Sequence, residues 1–551
     1  MNNDKLLLQR IPNRPVQVLP ILAAGLLFLT LGLIVGGALA QELPDAGRLL
    51  QENLPSQLQP VKPSVDFHPE GQPLESAPPN GPQVRLNRIT LTGNTIYTEE
   101  NLLAVLGDVL GRSYDLAGLR QLANRISRYY RANGYPFAHA YLPEQSMTDG
   151  ALTIVVIEGR YGTVKATGDE ELAAGAQGFL KPLEPGSVIE SGSLERATLI
   201  LGDQPGVKVV PVMRPATETG SGDLDVQVTK APRVMGQVTA DNHGNRYSGE
   251  YRAQIELRLH RAIVFGDEIF LRGLYSNEDL WLGQLAYSLP LGGSGLRGWA
   301  SYAHTDYDLR APFEGYTGTA KIGAAGLSYP LIRSRSTNLI ASAGYQHKDL
   351  DDELLGSSYN ESSSNSWPLE LQFDHRDDLV GGGTTYGGLT LTPGRLKSDT
   401  AGVPEGGFTK ANAQLARIQN LPAAFSLLAR VSGQWADREL DSSESFILGG
   451  AYGVRAYPQG EGSGSKGWLG QVELRYAIKN FVPYLFYDSG RISKDAKNNR
   501  RHIAGAGIGL HFSYEKWSLD LASAWKTAGG DEKSDDKQRN PRVWFTAGYR
   551  F

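Results

Sequence analysis

Between Arg233 and Phe551 apolar and polar residues change places at every second position, and no helical period interrupts them. Tyr251, Ala253, Ile255, Leu257 and Leu259 alternate with Arg252, Gln254, Glu256, Arg258 and His260. A strand sends successive side chains to opposite faces, so the two sets lie on opposite sides of a sheet. Soluble cores seldom want charge at every second position. The pattern returns at Trp281 to Leu289, with Gly283, Leu285 and Tyr287 opposite Gln284, Ala286 and Ser288. It returns again at Val472 to Ile478, where Leu474 and Tyr476 oppose Glu473 and Arg475. In the last nine residues Val543, Phe545, Ala547, Tyr549 and Phe551 share one face, and Thr546, Gly548 and Arg550 the other. One greasy, aromatic face and one wet face describe the wall of a membrane β-barrel. A β-sandwich also buries one face of each strand, but it rarely runs to this length as a single domain. At roughly 20 residues per strand and connection, the segment holds about 16 antiparallel strands, an even number as bacterial barrels require. Closure would also remove the edges that so long a sheet otherwise exposes.

The front of the chain agrees with a membrane destination. Lys5, Arg10 and Arg14 precede an uncharged run from Val16 to Leu39, ending in Ala38-Leu39-Ala40. A basic start, an apolar stretch and an A-x-A site predict a signal peptide over residues 1–40. An uncleaved anchor is the competing reading, because the run exceeds the roughly 20 residues that span a bilayer. Removing residues 1–40 would move the formal charge from -5 to about -7, which argues against nucleic acid as a partner. The chain has no cysteine, so neither disulfides nor thiolate metal sites hold it together. No later run of about 18 apolar residues exists to build a helical membrane bundle.

Ahead of the alternating segment the texture changes three times. Asp45 to Leu54 predicts a short helix with Asp45 as cap and Leu49, Leu50 and Leu54 at helical spacing, inside a unit of residues 41–58. Residues 59–83 hold Pro60, Pro63, Pro69, Pro73, Pro78, Pro79 and Pro82 and predict an extended linker. Residues 84–160 predict a small α/β domain of order β-α-α-β-β. Its helices start after Thr98 and Asp115, and its later strands lie near Phe137 to Leu142 and Ala151 to Ile157. The same order recurs in residues 161–232, with strands near Thr163 to Ala166, Val207 to Val210 and Leu224 to Val228.

Catalytic signatures are absent: the sequence has no H-E-x-x-H, no G-x-S-x-G and no phosphate-binding loop. Asp374-His375-Arg376-Asp377-Asp378 offers acid/base or metal-ligating side chains, but charged hairpin residues at a barrel rim are the commoner meaning. No cofactor and no metal are expected.

Several stretches resemble one known family, the outer-membrane transporters of two-partner secretion of the haemolysin secretion/activation type. These belong to the larger group that pairs POTRA domains with a barrel. Asn133-Gly134-Tyr135-Pro136, Leu142-Pro143-Glu144-Gln145, Asp149-Gly150 and Ile157-Glu158-Gly159-Arg160 look like its first POTRA domain. Gln204-Pro205-Gly206-Val207 looks like its second, and Asp241-Asn242-His243-Gly244-Asn245 with Ser248-Gly249 like its barrel start. The family carries V-R-G-Y in a loop folded into the barrel, matched here by Val454-Arg455-Ala456-Tyr457. It carries F-x-D-x-G on a wall strand, matched by Phe486-Tyr487-Asp488-Ser489-Gly490.

The resemblance implies that Arg455 pairs with Asp488 and ties the loop to the wall, with Val454 and Tyr457 as packing residues and Phe486 and Gly490 as the rest of the wall-strand motif. On the residues alone, a loop arginine in water and an Asp-Ser-Gly hairpin turn is the favoured reading of Arg455 and Asp488. Ala456 departs from the pattern, since it replaces a glycine and alanine resists positive φ. Either that position has ordinary backbone angles here or the loop tip is altered. The resemblance also implies a plug formed by the helix at residues 41–58 and a large secreted partner of adhesin, cytolysin or haem-scavenging type. Outer-membrane lipid would surround the barrel, and the barrel-assembly machinery would read Tyr549 and Phe551. The short edge strands bearing Phe137, Tyr141, Val207 and Val209 are candidates for capturing an unfolded partner by strand addition. Export without ATP through the outer membrane is the expected function, with the small domains in the periplasm. An assembly factor for other barrels, a surface hydrolase and a simple porin are the alternatives.

Overall fold

A computed structural model describes residues 43–53, 58–60, 73–398, 405–494 and 500–551. The expected signal peptide lies outside the described residues. From Val234 onward the strands form a closed antiparallel barrel. Val234–Asp241 pairs with Arg252–His260 on one side and with the final strand, Arg542–Arg550, on the other. Ser357–Ser366 and Leu369–Asp377 both lie between Thr337–Leu354 and Gly383–Ser398, and are two halves of one wall strand broken at Trp367-Pro368. Pro368 has no N–H to give the ladder, which is why the break falls there. The wall therefore has the sixteen strands expected. Leu285, Leu371, Leu415, Val472 and Leu485 point outward and are exposed, whereas Arg252, Arg272, Lys348, Glu473 and Asp488 are buried inside.

A helix, α1 (Ala46–Asn53), lies within the barrel. Asp45 caps it, accepting the Arg48 N–H at 2.8 Å. Its Leu49 and Leu50 are buried against Tyr307, Ile322 and Leu350 of the wall.

The first small domain is a three-stranded sheet with Ala151–Ile157 in the middle and Arg88–Thr92 and His139–Tyr141 at the edges. Helices α2 (Glu99–Leu106) and α3 (Leu116–Ala132) cover it, and Asp115 caps α3 by accepting the Gly118 N–H at 2.8 Å. Leu102, Leu122, Ile126, Tyr130 and Ile154 form its core. The second repeats the order, with Ser221–Lys230 between Arg160–Gly168 and Val207–Pro215, and with helices α4 (Glu170–Gln177) and α5 (Ser191–Gly202).

The second domain is bolted to the near mouth of the barrel. Arg333 donates to both oxygens of Asp203 at 2.6 and 2.7 Å, Arg297 donates to Gln204 at 2.9 Å, and Arg196 donates to the Pro330 carbonyl at 2.7 Å. Phe265 packs on Phe179, ring centroids 5.7 Å apart.

Candidate translocation path

The long connection between Phe425–Ala436 and Lys466–Tyr476 folds back into the lumen, and Arg455 sits at its tip with 6% of its surface exposed. Its guanidinium donates through Nε and Nη2 to the two oxygens of Asp488 at 2.8 and 2.7 Å, and through Nη1 to Glu473 at 2.7 Å. The Arg455 backbone N–H adds a third bond to Asp488 at 3.1 Å. The Phe486 ring lies 3.6 Å from the guanidinium carbon, so the cation is held between two carboxylates and a π-face. A two-pronged pairing of this kind suits arginine and not lysine. It also satisfies a cation that would otherwise be stranded away from bulk water.

The rest of the motif packs. Val454 and Tyr457 are fully buried. The Tyr457 hydroxyl lies 2.8 Å from the Ala528 carbonyl and 3.0 Å from that of Gly530. At Gly490 a Cβ would come within 2.7 Å of Leu448, so the wall motif ends in glycine to let the loop approach. Ala456 is absent from the residues with positive φ, so it has ordinary backbone angles. Its methyl group rests on Gly505, where a Cβ would lie 2.3 Å away. The family's loop glycine is here an alanine accommodated by a glycine on the facing wall.

Sequence reasoning missed three members of this cluster. Glu473 shares Arg455 with Asp488. Gln471 donates to the Gly453 carbonyl at 2.9 Å, and the Trp544 indole N–H donates to the Arg455 carbonyl at 2.7 Å. A signal for two of them existed. The hairpin turning at Lys479-Asn480 sets Gln471 opposite Asp488 and Glu473 opposite Phe486, a register the turn length dictates.

The helix α1 occupies the lumen towards the end of the barrel distant from the small domains. Its Ala46 N–H donates to Asp352 at 2.8 Å, Arg252 donates to Asn53 at 2.7 Å, and Gln51 donates to the Ser443 carbonyl. Arg48 bridges to Glu52 at 3.3 Å and to the Gly460 carbonyl of the folded-in loop. Downstream, Leu58 packs on Tyr386, Ala416 and Leu428. Residues 75–80 lie against the first small domain.

The remaining candidate residues fall as follows. His139–Tyr141 and Val207–Pro215 are edge strands. Phe137 stands outside the strand, its side chain packed on the second domain's core. Tyr141 stacks on His139, ring centroids 6.2 Å apart. Val207 and Val209 turn inward and are 7% and 5% exposed, while Lys208 and Val210 between and beside them face out. Tyr549 packs on Trp517 at 4.7 Å, and the Phe551 N–H donates to the Gly236 carbonyl at 3.0 Å, sealing the barrel seam. Asp377 belongs to an ion pair with Arg417 at 2.8 Å. Among the described residues no group of side chains is arranged to hold a metal.

The family model described as "Haemolysin secretion/activation protein ShlB/FhaC/HecB" matches residues 220–512, more than half of the chain. The chain belongs to this family. A second model, "POTRA domain, ShlB-type", matches residues 84–159. The heme/hemopexin transporter protein HuxB of Haemophilus influenzae is 28% identical over 519 residues, covering 87% of this chain and 91% of that protein. The outer membrane transporter CdiB of Dickeya dadantii is 23% identical over 467 residues, covering 81% and 83%. Among solved structures, CdiB from Escherichia coli shares the fold with a TM-score of 0.73 at 21% identity, covering 87% of this chain and 93% of that one. The family is one of two-partner secretion transporters, which places the barrel in the outer membrane and the POTRA domains in the periplasm. The mouth that carries the second POTRA domain is therefore the periplasmic one.

Proposed function

We propose that this transporter exports a large partner protein as an extended chain through its own barrel, after α1 has left the lumen. One observation carries the reading: α1 lies in the lumen but joins the domain chain only through the linker, so it can leave without unfolding the wall. The exported segment enters at the periplasmic mouth, where the edge strand Val207–Pro215 offers its backbone for strand addition while Val207 and Val209 stay in the core and Val210 faces out. Arg455, Asp488 and Glu473 hold the folded-in loop against the wall and keep the passage in shape. No phosphate-binding loop occurs in the sequence, and the periplasm supplies no ATP, so the drive is the folding of the partner outside. The chain acts as a transporter and not as an enzyme. Its wall meets outer-membrane lipid, and its Tyr549 and Phe551 serve the barrel-assembly machinery. The relatives named for heme/hemopexin transport favour a haem-scavenging partner over an adhesin or a cytolysin. Co-expression with the partner, with the extracellular fraction assayed, tests the reading. Secretion that persists when the transporter is removed would end it.

A further inference from the structure

The linker does not merely pass the first POTRA domain; one side chain there grips its backbone. Asn124, on α3, is 4% exposed. Its Oδ1 accepts the Glu75 N–H at 3.1 Å and its Nδ2 donates to the Glu75 carbonyl at 2.8 Å. An asparagine placed this way holds both hydrogen-bonding groups of one extended residue. One turn earlier Arg120 donates to the Ser76 carbonyl and lies 3.5 Å from the Glu75 carboxylate. At the start of the helix Asp115 accepts the Asn80 N–H at 2.9 Å through the oxygen not used for capping. Three helical side chains thus hold three backbone positions of residues 75–80, and Arg120 facing Glu75 adds a charge match.

We propose that Asn124, Arg120 and Asp115 form a backbone-reading peptide site, filled at rest by the protein's own linker and exchanged for an extended, acidic segment of the exported partner. Most of its contacts are to main chain, so a different sequence satisfies them equally well. A buried asparagine left without partners keeps the full penalty of its lost hydration, so the site favours an occupant at all times. The occupant must be extended, because the clamp takes N–H and C=O from the same residue. It must be acidic at one position, because Arg120 stands there. Space for a longer guest adjoins the clamp: a groove of about 770 Å³ runs between the two POTRA domains, lined by Glu75, Phe137, His139, Tyr141, Met213 and Gly220. A segment that takes the clamp releases the linker, and with it the tether that runs back to α1. Only the identity of the occupant rests on the export reading; the site itself does not.

The test uses the full-length protein and a fluorescent octapeptide with the linker sequence Pro73 to Asn80. In the wild type the attached linker competes at an effective concentration of order mM, so the peptide binds poorly. Glu75→Pro deletes the N–H that Asn124 accepts, which weakens the resident. It should tighten peptide binding about ten-fold or more, and adding Asn124→Leu should abolish the gain. Binding in Glu75→Pro no better than in the wild type would overturn the site. Arg120 is a partly exposed surface residue, so a charge swap tests the clamp without touching the core. In the Glu75→Pro background, Arg120→Glu should weaken the peptide several-fold, and a peptide with lysine in place of its glutamate should regain the loss. Failure of that rescue would refute the charge match. Peptide binding is measured without secretion, so a failed site and a failed export reading give different results.

Discussion

Two segments fill the lumen, and they are held in opposite ways. The folded-in loop is joined to the wall at both ends and pinned at its tip by Arg455 between Asp488 and Glu473. The helix α1 has eight residues, too few to be stable alone in water. It is held by burial of Leu49 and Leu50, worth about 1.5–3 kcal/mol each, and by a few polar contacts. Within the helix, Arg48 pairs with its neighbour Glu52. Charges fix the loop as part of the channel, whereas greasy contact and a tether suit the helix to the departure proposed for it.

Breaking the fixed part should have the largest effect. Arg455→Ala strands the buried Asp488 carboxylate, whereas Glu473 keeps Arg475 as a partner; breaking such a pair costs about 3–5 kcal/mol. Secretion should fall by about two to three orders of magnitude, at about 1.4 kcal/mol per ten-fold, while heat-modifiable mobility on gels shows the barrel still inserted. Normal secretion would take the loop out of the mechanism. Removing the movable part comes next: deletion of residues 42–58 should raise ion conductance in planar bilayers several-fold, and unchanged conductance would show that α1 is not the barrier. The double substitution Leu49→Ala and Leu50→Ala should act in the same direction but less, giving intermittent openings in single-channel records. If it leaves the channel as closed as the wild type, burial is not what keeps the helix in place.

A finer probe concerns the loop tip. Gly505→Ala places a methyl group against Ala456 and should lower secretion several-fold, and adding Ala456→Gly should restore it. Absence of that rescue would mean that the two positions do not compensate. The smallest effect lies outside the lumen, in the first POTRA domain. Burial pushes the Glu158 carboxyl up, but hydrogen bonds from Thr95, the Ile96 N–H and Tyr130 outweigh it and hold its pKa below the ordinary value of 4.5. A depressed acid contributes stability that is complete above the ordinary value and lost as pH falls through the lowered one. Unfolding of this domain, followed by tyrosine fluorescence, should shift to lower temperature only below about pH 4.5. Glu158→Gln should flatten that dependence without changing conductance.

The barrel was legible because lipid imposes a period on every strand, and Tyr251 to His260 displays it without ambiguity. The β-α-α-β-β repeats were legible through their caps, Thr98 and Asp115, which bond within three residues. Arg455 and Asp488 were legible only through family resemblance. Nothing local distinguishes Asp488 from any other wet-face acid, since the pairing exists only once the sheet has closed. Trp544 was hidden for the same reason: its place in the strand period puts it on the inner face, but its contact with the loop exists only once the loop has folded in. The break at Trp367-Pro368 and the accommodation of Ala456 by Gly505 depend on neighbours far along the chain, and no periodicity records them.

The linker carries a kinetic consequence. Because α1 stays covalently attached, a displaced helix remains near its seat at an effective concentration of order mM. Re-entry is then a first-order event, independent of how many copies populate the membrane. On the proposed route, each round of export ends in spontaneous resealing, with no separate gatekeeper and no stoichiometric inhibitor to be supplied.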